Sequence, residues 1–278
     1  AIETSHPVWL IERWAKSFGI DEAAAFAAAN NLVPPTSFRV VSNRAEESEV
    51  LSRLRAAGAV LESSPVADGA WRVDGATAAL RELNAAGKIY LQDDASQLVA
   101  HAVDVKPGER VLDLCAAPGG KTTLMADRAG DQALIVAADR AAKRMATIDA
   151  TMRLHELESI EPVLLDATEQ LPFWKESFDK VLVDAPCSGT GTLRRNPEIR
   201  WRLAPTDFAA LAEKQKRILA RAVEVLKPGG RLVYSTCSIE REENEEVVAD
   251  CPLRRVDTTR TWPHREKCDG FFIAAFVR

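Results

Sequence analysis

The 278-residue sequence has no run that is apolar and uncharged for long enough to cross a bilayer. Residues 1–30 carry Glu3, Glu12, Arg13, Lys16, Asp21 and Glu22 where a signal peptide would be apolar. A spanning helix and a secretory leader are thereby excluded, and a soluble protein of the cytoplasm is expected. Cysteine is scarce: five, at 115, 187, 237, 251 and 268, an odd number with no CxxC and no His-x-His spacing. That excludes a zinc ribbon and a disulfide framework, and no metal is expected. A basic excess is missing too, since the net charge is −5, so a nucleic-acid partner must be held by a local patch. The first residue is Ala1 rather than Met, which suggests a trimmed fragment with a preceding domain outside the sequence. What is present is a hydrophobic content of 46%, enough for a full core and for more than one domain.

Residues 5–30 read as two short helices, with Ser5 as a cap, Pro7 in the first turn, and Trp9, Leu10, Arg13 and Trp14 at helical spacing. Asn30-Asn31 and Pro34-Pro35 break that pattern. A strand over 38–41, a helix over 46–57, strands over 59–62 and 71–73, a helix over 76–86 and a strand over 89–91 then follow, with Gly58 and Gly87 as stops. This is the βαββαβ order of a ferredoxin-like or RRM-like α+β unit. It lacks the aromatic signature with which RRM sheets stack bases. After residue 92, strands ending at Cys115, Asp139, Asp166, Asp184 and Thr236 alternate with helices such as 141–158 and 206–226. That rhythm predicts a mostly parallel sheet covered on both faces, with ligands held at the carboxyl ends of its strands. The expected organisation is a helical linker segment (1–33), an RRM-like accessory domain (34–91) and an α/β domain (92–278).

Val111-Leu-Asp-Leu-Cys-Ala-Ala-Pro-Gly-Gly-Lys-Thr-Thr runs from a strand into a helix through small residues. It is neither a P-loop nor a dinucleotide glycine fingerprint. Its backbone, from Cys115, Ala116, Ala117 and Pro118 to Gly119, Gly120 and Lys121, can approach a ligand closely at a helix N-terminus. Asp139 is placed to accept from ribose hydroxyls, and Asp166 from an adenine amino group. Each aspartate alone is equally a helix cap or turn residue, and Lys121 either orients site carboxylates or is a surface lysine at a helix start.

Cys187, in Asp184-Ala-Pro-Cys-Ser-Gly-Thr-Gly, and Cys237, in Tyr-Ser-Thr-Cys-Ser, both stand where an apolar run gives way to small hydroxyl residues and turn-formers. A thiol there can be deprotonated and used as a nucleophile; the plainer alternative is core packing. Cys115 belongs to the glycine loop or to the core, and Cys251 and Cys268 have no motif context. Arg194, Arg195, Arg200 and Arg202, with Trp201 among them, combine phosphate-binding groups with a stacking surface, or form a solvated arginine-rich loop.

The segments Asp113-Leu-Cys-Ala-Ala-Pro-Gly-Gly-Lys-Thr, Asp184-Ala-Pro-Cys-Ser-Gly-Thr-Gly, Leu226-Lys-Pro-Gly-Gly-Arg-Leu-Val-Tyr-Ser-Thr-Cys-Ser-Ile, Glu242-Glu-Asn-Glu and Asp269-Gly-Phe-Phe resemble the RsmB/NOP/NSUN family of RNA (cytosine-5)-methyltransferases. Ser5-His-Pro-Val-Trp-Leu, Asn31-Leu-Val-Pro-Pro and Tyr90-Leu-Gln-Asp-Asp-Ala-Ser-Gln resemble its bacterial RsmB (Sun/Fmu) subgroup, in which a helical NusB-like domain usually comes first. Val40-Val-Ser-Asn-Arg departs from the Arg-Val-Asn common there. The resemblance implies a Rossmann-like, seven-stranded class I fold that uses S-adenosylmethionine, bound around the Cys115–Lys121 loop, Asp139, Asp166 and Asp184. It implies Cys237 as the attacking nucleophile, Cys187 as base or base relay for release, and RNA as the partner. Small-subunit (16S) ribosomal RNA follows from the subgroup alone, with tRNA as the alternative, and a monomer is favoured.

The chemistry explains the residue types. C5 of cytosine attacks a methyl group only after a nucleophile adds at C6, and Asp184, beside the cysteine loop, is the expected donor or orienting group at N3. The arginine patch follows the Cys187 loop and is expected at the mouth of the cleft, where a flipped base would enter. A DNA cytosine-5 methyltransferase would use Cys187 and leave Thr236-Cys237-Ser238 unexplained. An amino-group methyltransferase would carry an aromatic-ended motif in place of Asp184-Ala-Pro-Cys. An inactive RNA-binding assembly factor would have no need of both cysteines.

Overall fold

The computed structural model describes residues 2–278. Helices α1 (Val8–Phe18) and α2 (Ile20–Ala29) open the chain. There Pro7 stands at the N-cap of α1, while Ser5 adopts a positive φ of 53° and caps nothing by its side chain. The expected βαββαβ order follows: β1 (Thr36–Val40), α3 (Glu47–Ala56), β2 (Val60–Ser63), β3 (Ala70–Asp74), α4 (Thr77–Ala85) and β4 (Ile89–Leu91). These strands form an antiparallel sheet in the order β2-β3-β1-β4. Phe38, Leu54, Leu83 and Ile89 are completely or almost completely buried between the sheet and its two helices.

The second unit runs α5 (Asp94–Val103), β5 (Arg110–Asp113), α6 (Gly120–Arg128), β6 (Leu134–Asp139), α7 (Ala142–His155), β7 (Ile160–Leu164), β8 (Phe178–Asp184), α8 (Ile199–Arg202), α9 (Asp207–Val225), β9 (Leu226–Thr236), α10 (Glu245–Val248), β10 (Arg254–Arg260) and β11 (Phe272–Val277). Its seven strands lie in the order β10-β11-β9-β8-β5-β6-β7. The five central and far strands pair in parallel; β10 and β11 are antiparallel. Side chains alternate along each strand, as the pleat requires. Leu182, Val233 and Ile273 meet α5, α6 and α7 on one face, while Val181, Val183, Leu232 and Tyr234 meet α9 and α10 on the other. A sheet covered on both faces leaves its strand ends as the open ligand-binding edge.

Candidate active site

Parallel pairing of β8 with β9 sets Asp184 opposite Ser235, so the loops that leave these two strands emerge side by side. They carry Cys187 and Cys237, whose Sγ atoms are 3.4 Å apart. The two loops are tied together at Gly191 of the Cys187 loop: its N–H donates to the Cys237 carbonyl at 2.9 Å, and Gly270 N–H donates to the Gly191 carbonyl at 2.8 Å. A Cβ on Gly191 would lie 1.9 Å from the Gly270 carbonyl oxygen, so only glycine permits this approach. The contact with Cys237, and then burial, push the Cys187 thiol pKa well above its usual range. Cys187 therefore holds its proton.

Across the cleft, the β5–α6 loop turns at Gly119, whose φ is 105°. Lys121 on the first turn of α6 reaches back to Asp184, Nζ to Oδ2 2.8 Å, and Ser235 Oγ donates to the other carboxylate oxygen at 2.7 Å. Burial opposes the charge on Lys121 most strongly, yet its acidic neighbours, Asp184 first among them, together leave the lysine pKa above its ordinary value. Lys121, expected either as an orienting lysine or as a surface lysine, is thus largely buried and paired with the Asp184 carboxylate. Behind this pair, Asp113 accepts from Thr122 Oγ1 at 2.8 Å, and burial raises its pKa to about 7.

The open cleft between these loops is lined by Cys115, Ala117, Asp139, Asp166, Asp184, Cys187 and Cys237, among others. Asp139 is buried; it accepts from Ala117 N–H at 3.3 Å and Ala141 N–H at 3.0 Å, with Arg144 Nη1 at 3.5 Å. Asp166 is exposed, and one of its oxygens caps Thr168, from N–H at 2.9 Å and from Oγ1 at 2.7 Å, which lowers its pKa. Both aspartates thus combine a local turn role with a place on the cleft wall. Ala116, Pro118 and Gly120 line a second recess that opens toward Tyr90, Gln92 and Ser96. Tyr90 comes from the first unit, and a Cβ on Gly120 would lie 2.8 Å from its ring.

A backbone loop on one side and acids at successive strand ends suit a nucleoside-bearing cofactor. The family model of the 16S rRNA methyltransferase RsmB/F matches residues 100–259, and that of the ferredoxin-like domain of such methyltransferases matches residues 6–80. The chain belongs to the RsmB/F methyltransferase family. It is 37% identical to the probable ribosomal RNA small subunit methyltransferase B of Bacillus subtilis, over 99% of this chain and 67% of the relative. It is 33% identical to the protein of the same name from Synechocystis sp., over 97% of this chain and 66% of the relative. The chain thus spans about two thirds of the length of these relatives. The crystal structure of a methyltransferase homolog protein from Pyrococcus horikoshii superposes with a TM-score of 0.86 at 27% identity, over 100% of this chain and 97% of that one. The fold is that of class I S-adenosylmethionine-dependent methyltransferases, and S-adenosylmethionine is the cofactor.

Within this RsmB/F family chain, the arginine patch needs correction. Arg200 is buried and binds the carbonyls of Thr4, Ser5 and Asn30 and the Asn31 side chain, fastening the N-terminal segment. The Arg194 side chain is 3% exposed and pairs with Asp269 at 3.3 Å. Arg195 bridges Asp269 at 3.0 Å and Asp93 at 2.8 Å beside the mouth of a recess that reaches Cys237. Three of the four arginines are thus claimed by acids and carbonyls brought from distant segments, Arg194 and Arg200 almost wholly and Arg195 in part. Only Trp201 and Arg202 are free to meet a polyanion, with Arg195 offering a partly exposed edge.

The segment expected as a helical linker packs against the α/β unit. Leu10, Trp14 and Phe26 form one buried cluster with Leu193, Ile199, Ile239 and Trp262. Trp14 Nε1 donates to Glu240 at 2.9 Å, and Arg13 bonds to both Glu240 and Glu242 at 2.5 Å. Helix α1 therefore buttresses the loop that begins at Cys237. Sequence reasoning assigned no role to Ser235, Tyr90 or Glu243. Only the motif context of Tyr234-Ser-Thr-Cys, Tyr90-Leu-Gln and Glu242-Glu-Asn-Glu carried a signal for them.

Proposed function

We propose that this chain transfers the methyl group of S-adenosylmethionine to C5 of a cytosine in RNA, with Cys237 as nucleophile and Cys187 assisting release. The observation that carries the reading is the 3.4 Å approach of two thiols from adjacent strand ends, beside the Asp184–Lys121 pair. Two thiols with unequal environments suit a reaction that first makes and then breaks a carbon–sulfur bond.

S-adenosylmethionine, when bound, supplies an electrophilic methyl group. Cys237, as thiolate, adds to C6 of the ring and leaves C5 electron-rich. C5 then takes the methyl group, and its proton departs to water. The C5–C6 double bond re-forms as the Cys237–C6 bond breaks, with the electron pair returning to sulfur. Cys187 keeps its proton, which sets aside the base and base-relay roles expected of it; its S–H donates instead to the departing Cys237 sulfur, 3.4 Å away. Asp184 accepts hydrogen bonds from Lys121 and Ser235, which fits an orienting role better than that of a carboxyl donor. The Lys121 ammonium is then the donor available to the polar edge of the base.

The names of the relatives favour small-subunit ribosomal RNA as the substrate. Five free thiols suit a reducing cytoplasm. Methyl transfer from labelled S-adenosylmethionine to small-subunit ribosomal RNA, followed by mapping of 5-methylcytosine, tests the reading. Label at one cytosine is expected; label only in tRNA would shift the substrate, and cofactor binding without transfer to any RNA would favour an assembly factor.

A further inference from the structure

The turn after Cys237 places a carboxylate where no cation meets it among the described residues. Glu243, in the short 3-10 turn Arg241–Glu243, is completely buried, yet no ion pair reaches its side chain. Instead its two oxygens accept four hydrogen bonds. Oε1 accepts from Ser188 N–H at 2.8 Å and from Gln215 Nε2 at 3.0 Å. Oε2 accepts from Ser238 Oγ at 2.5 Å and from Ser188 Oγ. Ser188 follows Cys187 and Ser238 follows Cys237, so a single side chain grips the residue next to each thiol.

A buried carboxylate is costly unless its lone pairs are met, and a network this fully met is rigid. The neighbouring Asn244 completes the hold on the nucleophile loop: it accepts from Thr236 Oγ1 at 2.6 Å and donates to the Ser238 carbonyl at 2.8 Å, on either side of Cys237. Gln215 from α9 also donates to the Pro186 carbonyl at 3.0 Å, just before Cys187. From this geometry we propose that Glu243 is a positioning residue that sets the spacing of the two thiols, holding Cys187 within reach of Cys237 throughout the cycle. Its charge also adds, after Cys237 and burial, to the causes that keep the proton on Cys187. The proposal rests on the two-thiol reading of the site, but its geometric core does not depend on the identity of the RNA.

Glu243→Gln keeps the shape but removes the charge and puts an amide N–H₂ in place of one acceptor oxygen, so the Ser188 and Ser238 hydroxyls can stay in contact only by turning from donors into acceptors and giving up their other partners. The test compares this variant and Ser238→Ala with the unsubstituted protein in two measurements. The first is bridging of the two thiols by dibromobimane, from which the two sulfurs displace two bromides with loss of their protons to buffer and which fluoresces once both are alkylated, with Cys187→Ser as the blank. The second is single-turnover methyl transfer, with the melting temperature and S-adenosylmethionine affinity as controls. Bridging and transfer at least tenfold slower in Glu243→Gln, with melting and cofactor affinity retained, is the expected result. Ser238→Ala, which removes one grip only, is expected to lose less of both, and it carries the test if Glu243→Gln fails to fold. Bridging at the unsubstituted rate in the folded variants would overturn the proposal. Impaired bridging in a protein that methylates no cytosine would instead leave the spacing role intact and refute the reaction assigned above.

Discussion

Lys121 and Asp184 form an ion pair, Nζ to Oδ2 2.8 Å, at the point where the glycine loop and the Cys187 loop face each other. The pair joins the cofactor side of the cleft to the thiol side, and Lys121 is its proton-bearing partner. Lys121→Met removes the donor and leaves Asp184 with Ser235 alone. Single-turnover methyl transfer is expected to fall by about 10²–10³-fold, the usual effect of losing one preorganised donor. Asp184→Asn, which breaks the pair while keeping a polar side chain, is expected to lower the same rate.

Asp139 is the buried acid of the cofactor wall. Asp139→Ala removes a charged acceptor, worth about 1.5–3 kcal/mol for a well-formed bond. Calorimetric titration with S-adenosylmethionine is expected to show an affinity weaker by about ten- to a hundredfold. An unchanged affinity would confine Asp139 to fixing the turn before α7, where it accepts from Ala141 N–H.

His155 offers a pH test. It is completely buried against Tyr90, neither ring nitrogen has a hydrogen-bond partner, and burial, followed by Arg39 and Arg44, lowers its pKa to about 4. The folded state therefore resists a proton that the unfolded chain accepts below its ordinary pKa of 6.5. Its contribution to stability is complete above that value and is lost as pH falls toward 4. Urea unfolding of His155→Phe is expected to depend less steeply on pH across this window, by at most about 1.4 kcal/mol per pH unit.

The two free members of the arginine segment should separate from the structural ones. Trp201→Ala is expected to weaken RNA binding by about 1–3 kcal/mol if a base stacks on its ring. Arg202→Ala should lessen the salt dependence by a slope of about 0.7 if it meets one phosphate of a single strand. Arg200→Ala should lower the melting temperature instead, because it releases the N-terminal segment. Filter binding at several salt concentrations, alongside thermal melts, separates these effects.

Much of this architecture was legible because local rules and tertiary need agree. Gly58 and Gly87 end helices where the βαββαβ reading places the stops, and both adopt positive φ. The alternation of strand and helix after residue 92 put Asp139, Asp184 and the two cysteines at strand ends. The arginine patch misled because chain-local composition says nothing about distant acids: Asp93 and Asp269 reach Arg195 only in the folded state. Lys121 stood undecided for the same reason, its partner lying 63 positions away. Glu243 was visible only as part of a motif, since its function lies in donors from Ser188 and Gln215 that folding assembles.

The unequal roles of the two thiols are the central claim, and covalent trapping tests it most directly. Each cysteine variant is incubated with substrate RNA and S-adenosylmethionine and resolved on a denaturing gel. Cys187→Ala is expected to accumulate a protein–RNA adduct, because the bond from Cys237 to C6 forms but is not released, whereas Cys237→Ala is expected to form none. An adduct that persists in Cys237→Ala and disappears in Cys187→Ala would contradict the assignment.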